Sequence, residues 1–359
     1  MDKNTYYEEL TVYLPHVSSN TLKLDSAIDE EIKTLVNNHR FCKLALRSNF
    51  HEEKKKIDSS VGPFLGRQLG KVTKNLAHIL QWLDADELNI ALKADYLCSA
   101  FSYRLPYLTA LVLNEYFNYS EELIRKIADN CSNLRHLSLP NCSVAHGDVL
   151  LYLARKLLHL RVLVLQDARQ LTDLDTKNIC TRSVNLVILD VRGSSITDSA
   201  MEYIAKLDKL EELHVKYCHN LTANCVRVLS DHGSRVEVLD LTTCHGIDPN
   251  EALRNIGLSK LPLDIITLGF TVMTNPNRRY PDTLGVLTDE GIAAFLAGEG
   301  GQEITSFNMN LGRGGVSNDL LAQLFFKCKD LTEIGNEDVD VTAEVRPAYL
   351  AKITNLINY

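Results

Sequence analysis

The chain has no long apolar run. Its opening stretch, MDKNTYYEEL, is polar and charged, and no later segment approaches the roughly 20 apolar residues that a membrane helix needs. Positive charge is not in excess either. With 38 Lys and Arg against 46 Asp and Glu, the formal net charge is −8, and the whole-molecule field repels nucleic acid and anionic membrane surfaces. Cysteine is present, but as an odd set of 9 spread from Cys42 to Cys328 and without a secretory leader, so disulfides are not expected. Two glycine-rich stretches, GEGG at 298–301 and GRGG at 312–315, lack the Lys-Ser/Thr of a phosphate loop and the spacing of a dinucleotide fingerprint. They read as tight turns. These absences point to a cytoplasmic or nuclear protein with no membrane, nucleic-acid or cofactor partner, while 45% apolar residues provide for a folded core.

What the chain does have is a repeat. The pattern L-x-x-L-x-L starts at Leu108, Leu134, Leu160 and Leu186 and continues at Leu210, Val236 and Leu263, in steps of 26, 26, 26, 24, 26 and 27 residues. Strands of an ordinary sheet have no reason to keep such a period. Each unit has a second half: LTDLDTKNIC from Leu171, ITDSAMEYIA from Ile196, LTANCVRVLS from Leu221 and LTDEGIAAFLA from Leu287. A threonine, then polar residues, then apolar residues at helical spacing predict a capped amphipathic helix. One such strand-turn-helix unit cannot bury its own apolar faces, so copies must stack, with parallel strands on one wall and helices on the other.

Weaker copies lengthen the array at Phe41 (Leu44, Leu46), near Glu87 (Ile90, Leu92), at Ile304 (Phe307, Met309) and at Leu331 (Ile334), with a further start at Ser19 (Leu22, Leu24). The expected fold is an α/β leucine-rich-repeat solenoid, a curved parallel sheet with outer helices, spanning 19–340 between an N-terminal cap at 1–18 and a C-terminal cap at 341–359. Two overlong steps imply insertions near 50–82, with a helix ending near Trp82, and near 272–286, where MTNPNRRYPDT reads as an exposed loop.

The stretch CSNLRHLSLPNC, in which Cys131, Leu134, Leu137, Leu139 and Cys142 are followed by the capped helix, resembles the cysteine-containing class of leucine-rich repeat. Cys328-Lys-Asp-Leu331 matches its first half, and Cys218 and Cys244 match its last position. That class is best known from the F-box/LRR substrate receptors of ubiquitin ligases. The resemblance implies a protein-binding function, with ubiquitin-ligase components among the candidate partners. No F-box is recognisable ahead of the repeats.

In the repeat, Cys142, Cys218 and Cys244 share a phase with Ala168, Ser194, Thr271 and Gly312, a set united by small size. They read as compact buried fillers with a weak thiol donor. The pairs Cys218-His219 and Cys244-His245, 26 residues apart, have the composition of a zinc site but not its short knuckle spacing, and each histidine should point away from its cysteine. No metal ligand set is assigned, and no catalytic residue.

Residues alternating with the inward leucines must face outward in fixed columns. One column carries Asp190, His214 and Asp240, the next carries Arg192 and Lys216, and Tyr217 borders them. The cluster reads either as a mutually neutralising charge ladder or as a docking patch for a protein partner on the concave face. Arg278, Arg279 and Tyr280 in the second insertion belong to residue types enriched at interface hot spots. The functional expectation is a non-catalytic adaptor, the alternative being a regulator or inhibitor that binds a nuclease or GTPase type of enzyme through the same face.

Overall fold

Leucines at alternate positions over three residues give a strand with one apolar face and no room to pair except with copies of itself. The computed structural model shows that arrangement. It describes residues 8–14, 42–48, 61–85, 93–268, 287–309, 316–331 and 333–335. The chain divides into two compact units, 1–168 and 169–359.

In the first unit, strands β1 (Glu8–Leu14), β2 (Cys42–Ser48), β3 (Leu80–Asp84), β4 (Ala110–Val112), β5 (His136–Ser138) and β6 (Val162–Val164) pair in chain order, all parallel. Helices α1 (Val61–Leu76), α2 (Ala94–Ala100), α3 (Glu121–Asn130) and α4 (Gly147–Lys156) form the other layer. In the second unit the strands are β7 (Ile188–Asp190), β8 (Glu212–His214), β9 (Val238–Asp240), β10 (Ile265–Leu268), β11 (Ser306–Met309) and β12 (Glu333–Gly335), again parallel and in order. Its helices are α5 (Asp173–Arg182), α6 (Asp198–Ile204), α7 (Asn224–Asp231), α8 (Pro249–Leu258), α9 (Asp289–Ala297) and α10 (Asn318–Lys327). Among the described residues no helix is long and apolar enough to cross a membrane.

The interior is the leucine set that the period marks. Leu186, Leu189 and Val191, then Leu210, Leu213 and Val215, are fully buried, and they meet Ala200, Met201 and Ile204 of α6 and Cys225, Val226 and Leu229 of α7. Truncating one such leucine costs about 2–5 kcal/mol, because neighbouring coils cannot collapse into the gap.

Strands β5 to β9 each end after three residues in a turn through a left-handed backbone position. Asn141, Asp167, Gly193, Tyr217 and Thr243 fall one repeat apart and have φ between 57° and 72°. The turn lets the strand-end N–H reach the next coil: Asn141 N–H to Gln166 O (2.5 Å), Gly193 N–H to Lys216 O (2.7 Å), Tyr217 N–H to Thr242 O (2.9 Å).

The recurring Thr-Asp does more than cap its own helix. Thr172 accepts from Asp175 N in a reciprocal capping box, and Thr197 accepts from Ser199 N. The acids also strap coil to coil. Asp173 takes both the N–H and the hydroxyl of Thr197 (2.7 Å each), and Asp198 takes those of Thr222 (2.9 and 2.5 Å). Asn250 does the same for Thr288 (2.9 and 3.0 Å), and Asp289 receives Ser317 N (2.6 Å). A carboxylate at a helix start is further favoured by the helix dipole.

GEGG is only partly a tight turn. Gly301 has φ 73°, but Gly298 and Gly300 are required for another reason: a Cβ would overlap backbone of the preceding coil, at Gly257 for Gly298 and at Ile256 and Ser259 for Gly300. There α8 and α9 meet backbone to backbone, and the Lys327 ammonium closes the end of α9 by donating to the carbonyls of Phe295 and Gly298.

Three expectations need correction or relocation. The helix of the first insertion ends at Leu76, not near Trp82, and Trp82 lies within β3. That strand, not a copy near Glu87, is the coil between β2 and β4, and Ile90 and Leu92 fall outside the described residues. Its motif is LQWLDA, in which Ala85 replaces the last leucine and an outward tryptophan masks the alternation. Within the stretch read as an N-terminal cap, Glu8–Leu14 forms β1 in full register with β2. Ser19, Leu22, Leu24, the loop at 272–286, GRGG and the cap at 341–359 lie outside the described residues.

Two substitutions test this packing. Asp198→Ala is expected to lower unfolding free energy by about 1 kcal/mol through loss of the strap to Thr222, with Asp198→Asn costing less because it keeps one acceptor. Gly298→Ala should cost more, about 2 kcal/mol, because helices must part to admit a methyl group. Urea unfolding followed by circular dichroism measures both.

Candidate functional site

The strand register of the second unit fixes three outward columns. Ile188, Glu212, Val238 and Ile265 face one another across β7 to β10, and so do Asp190, His214, Asp240 and Thr267. Arg192, Lys216 and Thr242 follow two residues later on the same face. The row expected from the period therefore exists. The first column, apolar apart from Glu212, is an addition that the sequence reading did not single out.

The charges pair along strands. Asp190 is buried, and its two oxygens accept from Arg192 Nε (2.9 Å) and Nη2 (2.5 Å), with Arg192 N at 3.2 Å. Asp240 accepts from Thr242 N (3.0 Å) and the Thr242 hydroxyl (2.5 Å). His214 Nε2 lies 3.4 Å from Glu212 Oε2. Paired residues of neighbouring strands lie nearer, roughly 4.8 Å apart, than residues i and i+2 of one strand, roughly 6.6 Å, but the donors that reach Asp190 and Asp240 are those of Arg192 and Thr242 on their own strands. The bidentate guanidinium fixes Asp190 in orientation as well as charge.

Beyond the third column the backbone turns at Tyr217, whose φ of 61° is unusual for a bulky residue. The Lys216 ammonium lies 5.1 Å from the Tyr217 ring centroid, Tyr217 meets His219 edge-on at 6.5 Å, and His219 stacks on His245 at 4.4 Å and 9°. Burial lowers the pKa of both imidazoles, helped by Arg169 beside His219 and by His219 beside His245. Both shifts favour the neutral form of the stacked pair.

The cysteines face the other way. Cys218 and Cys244 are fully buried, and their thiols donate to Val191 O (3.4 Å) and Val215 O (3.1 Å) of the preceding coil. Burial pushes both thiols up, and Cys142 up to about 12. A thiol that burial keeps protonated is a poor nucleophile at neutral pH. Thiols inward and imidazoles outward do not converge. Among the described residues no group of three or more His, Cys, Asp or Glu side chains is placed to hold a metal ion.

In the first unit the outward face carries a feature that the sequence reading missed. Trp82 and His136 flank Ala110 in register and meet edge-to-face at 6.0 Å above it. Asp84 follows in the next column, with Val112 and Ser138. Burial lowers the His136 pKa while Asp84 opposes that shift. The available signal was the L-x-x-L-x-A motif at Leu80. Arg278, Arg279 and Tyr280 lie outside the described residues.

Removing Arg192 should be costly, because Asp190 would keep a buried charge without its partner. Arg192→Ala is expected to lose about 3 kcal/mol, whereas Asp190→Leu with Arg192→Leu should lose less than that single change. Denaturant titration of the singles and the double gives the coupling.

No family model matches the chain. Over 120 residues, 33% of this chain, it is 28% identical to F-box/LRR-repeat protein 17 of Arabidopsis thaliana, and the match spans 20% of that relative's length. A chain of the crystal structure of the yeast Rad7 and Elc1 complex superposes with a TM-score of 0.53 at 16% identity, covering 94% of this chain and 82% of that one. That level of identity speaks to the fold alone. Taken with the 26-residue period and the buried leucine and cysteine positions, the structural likeness gives the chain the leucine-rich-repeat fold.

Proposed function

We propose that the chain is a non-catalytic protein-binding adaptor, cytoplasmic or nuclear, that docks a partner on the outward, concave face of its sheet. The observation that carries this reading is the registered set of outward columns on β7 to β10, where apolar Ile188, Val238 and Ile265 run beside polar and charged side chains. The face is pre-organised: Asp190 is locked by Arg192 and Asp240 by Thr242, so little side-chain freedom remains to be lost on binding. Mixed apolar and charged columns suit a protein surface. The set Asp190, Arg192, His214, Lys216, Tyr217 and Asp240 forms the patch in this reading, with Arg278, Arg279 and Tyr280 of the loop as further contacts.

The likeness to an F-box/LRR-repeat protein supports a place in ubiquitin-ligase pathways, as a substrate-recognition component. The yeast structure, a complex of Rad7 with Elc1, supports protein assembly as the role of this fold.

The test is affinity purification from native cells with tagged chain and two variants. Glu212→Lys with His214→Asp reverses charge at the centre of the patch, and Glu202→Lys changes an exposed residue of α6. The first should abolish partner recovery with an unchanged melting temperature, and the second should leave recovery intact. Cullin-type ligase components among the recovered proteins are the expected result. Recovery that survives the first variant, or that is lost with the second, rejects the sheet face as the docking surface.

A further inference from the structure

One more column follows the left-handed turns of the second unit. Arg169, Ser195, His219 and His245 stand at steps of 26, 24 and 26 residues, on the turns that lead from strand to helix. Those turns are tied together: the Ser195 hydroxyl donates to Arg169 O (2.7 Å), and Asn220 Nδ2 donates to Ser195 O (3.2 Å). A Cβ on Gly246 would overlap the carbonyl of Leu221, so the turn bearing His245 lies flush on the turn bearing His219. That close approach allows the two rings to stack at 4.4 Å.

The result is a continuous rim of Lys216, Tyr217, His219 and His245, with exposed Arg169 beside it. Asp190 is paired with Arg192, whereas Arg169 and Lys216 form no ion pair among the described residues. The rim thus sets two cations, Arg169 and Lys216, beside a strip of aromatic rings on a chain whose net charge is −8.

Tyr217 strengthens the point. The preceding coil places Gly193 at the same left-handed position, which admits glycine freely, whereas a side chain there costs about 1 kcal/mol. A large ring held against that local cost marks a functional position, and Tyr and Arg are the residue types that dominate binding hot spots.

We propose that this rim docks an acidic peptide segment of the protein partner, with carboxylates facing Arg169 and Lys216 and the chain packing on Tyr217 and the imidazole pair. The proposal deepens the protein-binding reading above and rests on it. A nucleic-acid strand fits less well, because a phosphate track requires many cations in line and the rim offers two that are permanently charged.

The experiment uses the full chain and fluorescence anisotropy with three labelled probes: a twelve-residue peptide of mixed Asp, Glu and Leu, the same peptide with Lys for every acid, and a twelve-nucleotide oligo-dT. The acidic peptide should bind tightest, more weakly as salt rises. Arg169→Glu with Lys216→Glu should weaken it at least about tenfold. Tyr217→Gly should weaken it several-fold while raising the melting temperature, a combination that a merely structural role would not produce. Equal or tighter binding of the lysine peptide or the oligonucleotide overturns the proposal, as does acidic-peptide binding that ignores the variants. If rim variants retain the cellular partner that the Glu212→Lys, His214→Asp variant loses, the sheet-face reading stands and the rim assignment falls.

Discussion

The structure depends on apolar side chains that no single repeat can bury. A three-residue strand and a helix of two or three turns expose most of their leucines to water when alone. Stacking buries them, and at about 25 cal/mol per Å² of apolar surface that burial is the term large enough to offset the ordering of so many short elements. Leu210, Leu213 and Val215 of one coil are sealed by coils on both sides.

Around that interior, polar groups convert proximity into register. Left-handed residues after β5, β7 and β8 send an N–H to the next coil, Thr-Asp straps do the same at helix starts of the second unit, and buried thiols donate to carbonyls of the preceding coil. Each bond is worth about 1 kcal/mol, but each kind recurs on several coils, and a slipped register would leave its donors and acceptors unmet in the interior. The small residue at the Cys142, Cys218 and Cys244 position is needed because the turn passes close under the preceding strand, and a thiol adds a donor that alanine lacks.

The same register makes one patch out of side chains far apart in sequence. Asp190, His214 and Asp240 become neighbours because β7, β8 and β9 align residue for residue. Once aligned, Asp190 is neutralised by Arg192 of its own strand and Asp240 accepts the Thr242 hydroxyl, with Ile188, Glu212 and Lys216 in the columns beside them. The first unit presents a different surface, with Trp82 and His136 closed over Ala110.

By itself the sequence determined the repeat, the inward leucines, the small-residue role of the cysteines, the capped helices and the outward row of Asp190, His214 and Asp240. All follow from side-chain direction along a strand or helix and from a fixed period, both of which are properties of the covalent chain. Tertiary structure alone decided the coil at Trp82, since Ala85 weakened its pattern and only pairing with β2 and β4 defines it. It also decided that Asp173 and Asp198 strap the next coil, that Asp190 turns to Arg192, and that His219 stacks on His245. Those choices depend on distances of a few ångströms between side chains two residues apart on one strand or 24 to 26 apart on successive coils, which spacing in sequence brings near but does not orient.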